Sequence, residues 1–272
     1  MSKVNVLVST MNRNDLNFLK DMNLRDNVVV VNQTTNNQLI DSKRIDSESI
    51  TVVNSFDRGL SKSRNLALKN SESDISIIAD DDVMYYPNFE NKVIEAYDKF
   101  PDADVIAFKV HRIGQNSNRE KSFSDKEKNI NYLTSMKISS VEITFKTKSI
   151  KVNNIRFNEN IGAGTEFMMG EENQFLFDCL KSNLNIKYVP IEIAEVDVSD
   201  STWFNGFDDN YFISTGAKFY NMSHVFYPLF IFQFAIRKTK LYKNNYSFFE
   251  VIKVMFSGVE KYKKKQTEKL GQ

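Results

Sequence analysis

Residues 75–82, ISIIADDD, place three consecutive carboxylates directly after a short apolar run. The apolar run predicts a strand that is buried on both faces of a parallel sheet. Ligands of open α/β sheets bind at the carboxyl ends of the strands, where three adjacent carboxylates repel one another unless a cation or hydrogen-bond donors neutralise them. The segment therefore predicts an α/β fold and a site for a divalent cation that shares its charge with phosphate oxygens. The alternative is an acidic turn that caps the following segment.

An alternation of apolar strands and amphipathic helices surrounds this segment. Strand patterns cover 3–9, 28–31, 50–53, 75–79, 104–110, 141–145 and 186–193, and helical patterns cover 62–70, 89–100 and 171–184. A further helical pattern follows Asp15, and the polar stretch 114–129 predicts an exposed loop. Strands that alternate with helices predict a doubly wound α/β sheet flanked by helices.

The composition narrows the class of protein. The 272 residues are 41% hydrophobic, and 36 basic against 35 acidic side chains argue against a general nucleic-acid binder. The two histidines, His111 and His224, are too few for a His-rich metal site. Cys179 is the single cysteine, and the N-terminal residues lack the pattern of a secretory leader. These features predict a cytoplasmic protein.

The C-terminal region differs from the rest in charge. Residues 237–272 carry ten Lys or Arg against three Glu, a net charge of +7, and follow the apolar, aromatic run 225–236. This run of twelve residues is too short for a membrane-spanning helix, which needs about 20. Residues 225–272 therefore predict a helical extension that contacts an anionic membrane surface peripherally. The alternative is a packed helix pair or an oligomer surface with a solvated basic end.

Residues 57–65, DRGLSKSRN, combine a glycine turn and three cations with the start of a helix. Helix N-termini and arginine side chains both favour phosphate. Because the next strand ends in the acidic cluster, the two segments are expected to face one ligand from neighbouring loops. The alternative is an ordinary capped helix with a solvated cationic face.

Three glycines, Gly162, Gly164 and Gly170, lie within nine residues and precede the acidic pair Glu171-Glu172 at the start of a helical pattern. Glycines permit a close approach between a ligand and the backbone, and a carboxylate at a helix start is able to act as a general base on a substrate hydroxyl. The alternative is that the acidic pair complements the helix dipole.

The order of these motifs, together with STMNR at 9–13, resembles the family 2 nucleotide-sugar glycosyltransferases of GT-A fold. The similarity covers residues 3–195. The whole chain, including STWF at 201–204 and the aromatic C-terminal region, resembles bacterial glycosyltransferases encoded with capsule and other surface polysaccharides. The implied fold is a GT-A type doubly wound mixed sheet flanked by helices, with a helical aromatic C-terminal extension.

The resemblance also implies roles for the matching residues. Asp80 and Asp82 match the outer positions of the family's Asp-any-Asp motif, which contacts the ribose and coordinates Mg²⁺ or Mn²⁺, with Asp82 as the main metal ligand. The residues implied to line the nucleotide and its diphosphate are Thr10, Asn12, Arg13, Arg58, Arg64, Asn65, Asp80 and Asp81.

Glu172 matches the second acid of the family's Glu-Asp pair, which implies the base that deprotonates the acceptor hydroxyl. Glu171 is the second candidate for this role. The sequence departs from the family pattern in having Glu where Asp is commoner at 172. It also departs at Asn32-Gln33, where many members have acidic residues near the nucleobase.

The implied function is metal-dependent, inverting transfer of a sugar from a UDP-sugar donor to a hydroxyl of a glycan or lipid-linked saccharide, in surface polysaccharide synthesis. The expected division is a nucleotide-sugar half at 1–110, an acceptor half at 111–199 and an extension at 200–272, at the inner face of the cell membrane. A homo-oligomer is left open. The alternative is a catalytically silent sugar-nucleotide-binding or scaffold protein. A phosphotransferase of haloacid-dehalogenase type is disfavoured because Met84 stands where that class needs Thr or Val.

Overall fold

The computed structural model describes residues 3–35, 39–41, 49–114, 125–199 and 206–270. Most of the stretch predicted as a loop at 114–129 lies outside these residues, and so does the STWF segment at 201–204 with Trp203. Within the described part of the chain, nine strands form one mixed sheet in the order β3-β2-β1-β4-β8-β6-β9-β5, with β7 paired to β9. The strands are β1 (Val4–Met11), β2 (Val28–Gln33), β3 (Ile50–Ser55), β4 (Ile75–Asp80), β5 (Val83–Tyr85), β6 (Val105–Ile113), β7 (Lys128–Asn129), β8 (Ile143–Lys146) and β9 (Ile186–Asp197).

Helices cover both faces of this sheet. They are α1 (Phe18–Asp21), α2 (Leu60–Asn70), α3 (Phe89–Lys99), α4 (Tyr132–Ser135), α5 (Thr147–Val152), α6 (Glu171–Lys181), α7 (Asp209–Met222), α8 (Tyr227–Tyr242) and α9 (Phe248–Leu270). Alternate residues of β1 point to opposite faces, so that Val6 packs in the cluster with α1 and α3, whereas Leu7 packs in the cluster with α2 and α6. Both faces of the strand are therefore apolar, as in a sheet that is covered on both sides.

The predicted α/β class is confirmed: β3, β2, β1 and β4 run parallel, while β8 and β5 pair antiparallel with their neighbours. Two elements are shorter than their patterns predicted. The helix after Asp15 is a single turn at Phe18–Asp21, and the strand predicted at 141–145 begins with a 3-10 helix at Ser140–Glu142. Asn23 has a left-handed backbone with φ of 56° and stops the chain from continuing α1, and a capping box between Ser139 and Glu142 starts the 3-10 turn.

Helices α7, α8 and α9 pack around an aromatic cluster of their own. Its buried members include Phe212, Phe234 and Tyr242. Gly216 of α7 and Gly258 of α9 bring the two helices into backbone contact. A Cβ on Gly216, for example, would lie 1.9 Å from the carbonyl oxygen of Met255. Among the described helices, none combines the length and the apolar character that crossing a membrane requires.

Candidate functional site

The acidic cluster lies at the carboxyl end of β4, beside the end of β1. The two strands are parallel neighbours, and Ser9 lies opposite Asp80 in their register. Asp81 accepts hydrogen bonds from the Thr10 hydroxyl at 2.5 Å and from the Arg13 guanidinium at 2.9 Å. The structure therefore brings Thr10, Arg13, Asp80 and Asp81 together, because parallel strands end at one edge of a sheet.

The loop after β1 is held by the end of β2. The Asn32 side chain accepts from the backbone N–H of Arg13 and donates to its carbonyl oxygen, at 3.0 and 2.9 Å. Asn12 has a left-handed backbone with φ of 53°, and its side-chain oxygen accepts from the backbone N–H of Thr35 at 3.0 Å. Asn32, one of the two departures from the family pattern, thus fixes the segment that carries Arg13.

Arg64 connects the acidic strand end to the glutamate pair. Its guanidinium is 1% exposed and donates to Asp80 Oδ1 and Glu171 Oε1, each at 3.0 Å. The Phe157 ring lies 5.6 Å from the guanidinium carbon. Burial alone lowers the pKa of Arg64, but the charges of Asp80 and Glu171 reverse that effect and raise it. Arg64 is therefore a permanent buried cation between two acidic segments that are far apart in sequence.

The glycine loop before α6 packs on the first turn of α2. The backbone N–H of Leu60 donates to the carbonyl oxygen of Ala163 at 2.9 Å, and the Ser61 hydroxyl donates to that of Ile161 at 2.8 Å. Gly162 has φ of 103°, and a Cβ there would lie 3.0 Å from Glu171 Oε2. Glycine at 162 therefore allows the loop to pass directly over the Glu171 carboxylate.

The two glutamates have different environments. Glu171 is buried, and its Oε2 has no hydrogen-bond partner among the described residues. Desolvation, followed by the charge of Glu172, raises the pKa of Glu171 to about 7 against the pull of Arg64. Glu172 is half-buried, and the structure gives its carboxylate no hydrogen bond within the part of the chain it describes. Glu172 is thus the member of the pair that remains available to an incoming group.

Asp82 faces outward at the start of β5. Partial desolvation of its carboxylate, together with the charges of Asp80, Asp81 and Asp197, raises the pKa of Asp82 to about 6. Asp197 ends β9, and the pairing of Val83 with Val196 brings this strand end beside Asp82. Asp197 is not among the site residues predicted from the sequence. The strand pattern in the sequence ends at residue 193, whereas β9 continues to Asp197, and its proximity to Asp82 follows only from the pairing of β5 with β9.

These acids are suited to a hard cation that a phosphate-bearing ligand helps to hold. The described residues contain no group of three or more His, Cys, Asp or Glu that could hold a metal by themselves. The Asp82 side chain is exposed, and three neighbouring carboxylates make its surroundings negative. Mg²⁺ needs only one or two protein carboxylates when phosphate oxygens complete its coordination, so this donor set fits Mg²⁺ or Mn²⁺.

Two predicted site residues lie apart from this arrangement. The Arg58 side chain is exposed and makes no ion pair with a carboxylate in the described part of the chain. Asn65 donates to the carbonyl oxygen of Phe157 at 2.9 Å and accepts from its N–H at the same distance. Asn65 thereby fastens α2 to the segment before the glycine loop, and contact of Arg58 and Asn65 with a nucleotide stays a prediction.

Three solved structures of S. aureus TarS share this fold. TarS residues 1–349 in complex with UDP has a TM-score of 0.60 at 18% identity, covering 89% of this chain and 73% of that chain. The complex of the same residues with UDP-GlcNAc has a TM-score of 0.61 at 17% identity, covering 89% and 74%. A further TarS structure has a TM-score of 0.59 at 18% identity, covering 89% of this chain and 44% of that one. No curated protein sequence matches the chain significantly.

The sheet order and the acidic strand end define a GT-A type α/β protein. A family model described as glycosyl transferase family 2 matches residues 17–165, more than half of the sequence. The chain therefore belongs to glycosyl transferase family 2. Its activity is therefore that of a glycosyltransferase.

Proposed function

We propose that this glycosyltransferase transfers a sugar from a UDP-sugar to a hydroxyl of a glycan or lipid-linked saccharide, with inversion and with a divalent cation. The observation that carries the proposal is the buried bridge of Arg64 between Asp80 and Glu171. It links the acidic strand end, suited to a cation that a diphosphate helps to hold, to the helix start that carries Glu172. The S. aureus TarS complexes with UDP and UDP-GlcNAc support the choice of nucleotide. The resemblance to capsule enzymes supports an acceptor in surface polysaccharide synthesis.

The donor contacts follow from the charges at the strand ends. Asp82 would hold Mn²⁺ or Mg²⁺, with Asp80 second because Arg64 already engages one of its oxygens. When bound, the cation would neutralise the charge of the departing diphosphate. Arg13 and Thr10 hold Asp81 in place, and the Arg13 side chain, 44% exposed, remains accessible to phosphate oxygens.

Glu172 is proposed as the general base. The acceptor hydroxyl gives its proton to the Glu172 carboxylate, and its oxygen forms a bond to the anomeric carbon while the bond to the diphosphate oxygen breaks. The electron pair of that bond leaves with the nucleoside diphosphate, so a single displacement inverts the anomeric carbon. Glu171 is a poor base by comparison, because Arg64 engages one oxygen and the glycine loop covers the other.

Measurements of nucleotide binding and turnover distinguish the proposed enzyme from the alternative, a catalytically silent sugar-nucleotide-binding or scaffold protein. We expect UDP to bind in the presence of Mn²⁺ and Asp82→Asn to abolish the metal-dependent part of that affinity, measured by calorimetry. Glu172→Gln should bind UDP normally but release it from a UDP-sugar offered with saccharide acceptors about 10²–10⁴-fold more slowly than the wild type. Asp57→Asn, an exposed acid paired with Lys62 at the start of α2, is the matched control. The absence of metal-dependent nucleotide binding would contradict the proposal. Binding with turnover that is insensitive to Glu172→Gln would contradict the assignment of the base.

A further inference from the structure

Helix α8 exposes a row of apolar side chains. It buries Ile231, Phe234, Ala235 and Tyr242 against α7 and α9. On the outer side of the helix, Leu229 is 63% exposed, Phe232 44% and Ile236 66%, and Val225, in the turn just before the helix, is 76% exposed. Residues spaced by three and four lie on one side of a helix. These four residues, Val225, Leu229, Phe232 and Ile236, are called the α8 stripe below.

Basic side chains follow the α8 stripe along the same side of the helix. Lys240 and Lys243 follow Ile236 at the same spacing, with Arg237 beside them, and all three are exposed. No Asp or Glu occurs between residues 225 and 243. The side chains of Arg237, Lys240 and Lys243 make no ion pair with any described carboxylate. The outer face of α8 is thus apolar in its first half and positively charged in its second.

This arrangement matches an anionic lipid surface. Isolated exposed apolar residues are ordinary, but three on one helix face that are continued by a fourth in the preceding turn mark an interaction surface. Helices that lie in the headgroup region combine such a row with Lys and Arg, and each cation near an anionic bilayer contributes about 1 kcal/mol.

A second copy of the chain fits this face less well than lipid does. A two-fold axis across the middle of α8 would pair the helices antiparallel, placing the cationic half of each copy against the apolar half of the other. No carboxylate of the segment 225–243 would compensate those cations. Lipid phosphates supply that negative charge, and the acyl boundary accepts the apolar half.

We propose that α8 docks the protein on an anionic bilayer surface, with the α8 stripe in the headgroup region and Arg237, Lys240 and Lys243 against lipid phosphates. Docking does not depend on the transfer reaction. Docking would place the transfer reaction at the membrane surface, because the helices α7 to α9 contact the glycine loop and its flanking residues. The Met168 N–H donates to the Ser214 hydroxyl of α7, and Asn158 donates to the Tyr262 hydroxyl of α9. A docked protein would therefore meet acceptors that are attached to lipid.

Sedimentation with vesicles tests this surface on the full chain. We expect binding to vesicles of phosphatidylglycerol and phosphatidylcholine that weakens as salt rises, and little binding to phosphatidylcholine alone. Leu229→Ser with Phe232→Ser should lower the partition coefficient at least about tenfold. Arg237→Gln with Lys240→Gln and Lys243→Gln should lower binding to the anionic vesicles by a similar factor.

Val225→Glu and Val152→Glu form a matched pair, because both valines are exposed, at 76% and 72%, but Val152 lies on α5. Only Val225→Glu should weaken vesicle binding, and both variants should keep the wild-type thermal unfolding and UDP affinity. Equal partition of the two variants would overturn the proposal. The proposal would also be overturned if the wild type formed a stable dimer in light scattering and did not bind anionic vesicles, and if Val225→Glu dissociated that dimer. That result would assign the stripe to a second copy.

Discussion

Arg64 is the residue on which the two acidic segments depend. Its guanidinium makes one hydrogen bond to Asp80 and one to Glu171 from a position 1% exposed. Removal of one partner from a buried ion pair leaves an uncompensated charge, which costs about 3–5 kcal/mol. We therefore expect Arg64→Met to lower the free energy of unfolding by that amount in urea titrations. Arg64→Lys should recover only part of it, because one ammonium cannot reproduce the two-armed geometry.

Arg58→Met is the control for this variant, since Arg58 belongs to the same motif but is exposed. Its free energy of unfolding should stay within about 0.5 kcal/mol of the wild type. If both variants unfold alike, the Arg64 bridge does not support the fold.

The Glu172 carboxylate, unlike that of Glu171, remains available to an incoming group. General-base catalysis contributes about 10²–10⁴-fold, so Glu172→Gln should lower the rate of sugar transfer by that factor and leave UDP affinity unchanged. Glu72→Gln is a suitable control, because Glu72 is exposed before β4, at the opposite edge of the sheet. The measurement is the rate of sugar transfer by the Glu172→Gln and Glu72→Gln variants at a saturating donor concentration. A Glu172→Gln enzyme as fast as Glu72→Gln would rule out Glu172 as the base.

Burial of Glu171 makes stability depend on pH. Its pKa rises from 4.5 to about 7, chiefly by desolvation, so the folded protein holds a proton that the unfolded chain has lost. The resulting stabilisation is complete below about pH 4.5 and is lost as pH rises through 7, by roughly 3 kcal/mol at most. The stability of the wild type relative to Glu171→Gln should therefore fall between pH 5 and pH 8 in urea titrations. A difference that is independent of pH would show that Glu171 is ionised throughout.

Some of these residue contacts follow from the sequence and others do not. The strand end at Asp80 and the helix starts before Arg64 and Glu171 are local patterns, which is why the sequence predicted a site at this edge of the sheet. The bridge itself joins residues 107 positions apart. No local pattern states which of two adjacent glutamates is buried, and Asp197 joins the acids only through strand pairing. The nucleotide and metal roles of the candidate residues remain predictions.

At the scale of elements, two glycines set the distance between α7 and α9. A Cβ on Gly216 would lie 1.9 Å from the Met255 carbonyl oxygen, and one on Gly258 would lie 2.2 Å from that of Ile213. Helix propensity alone favours alanine over glycine by about 1 kcal/mol. Here the helices must move apart, so Gly216→Ala should destabilise the protein by about 2 kcal/mol or more.

Thermal and urea unfolding measure this cost, with Ser257→Ala as the control because Ser257 is exposed beside Gly258 on α9. The control should change stability by less than about 0.5 kcal/mol. If Gly216→Ala stabilised the protein, the close approach of α7 and α9 would be wrong. The sequence predicted helices in this region from its aromatic residues, but contact between backbones depends on how helices cross, which periodicity does not specify.

At the scale of the whole molecule, the helices α7 to α9 support the loop that leads to the glutamate pair. Asn158 donates to the hydroxyl of Tyr262 and to the side-chain oxygen of Asn221, at 2.9 Å each. The Phe167 ring meets Tyr262 edge to face with centroids 5.1 Å apart. The sequence predicted the α/β sheet and a helical extension, but not that the extension touches the glycine loop. The two hydrogen bonds of Asn158 join residues 63 and 104 positions apart and leave no local signature.

Two buried tyrosines separate support of the site from support of the fold. Tyr262 and Tyr242 are both at most 1% exposed, and each uses its hydroxyl in a hydrogen bond, Tyr262 with Asn158 and Tyr242 with the carbonyl oxygen of Ala235. Either Tyr→Phe change should cost about 1 kcal/mol of stability. Only Tyr262→Phe loosens the loop before Glu172, so it alone should lower the rate of sugar transfer several-fold, with UDP affinity unchanged. The two variants are compared by their transfer rates as a function of acceptor concentration and by their free energies of unfolding in urea titrations. Equal transfer rates at equal stability would mean that the helical unit holds the loop without tuning the position of Glu172.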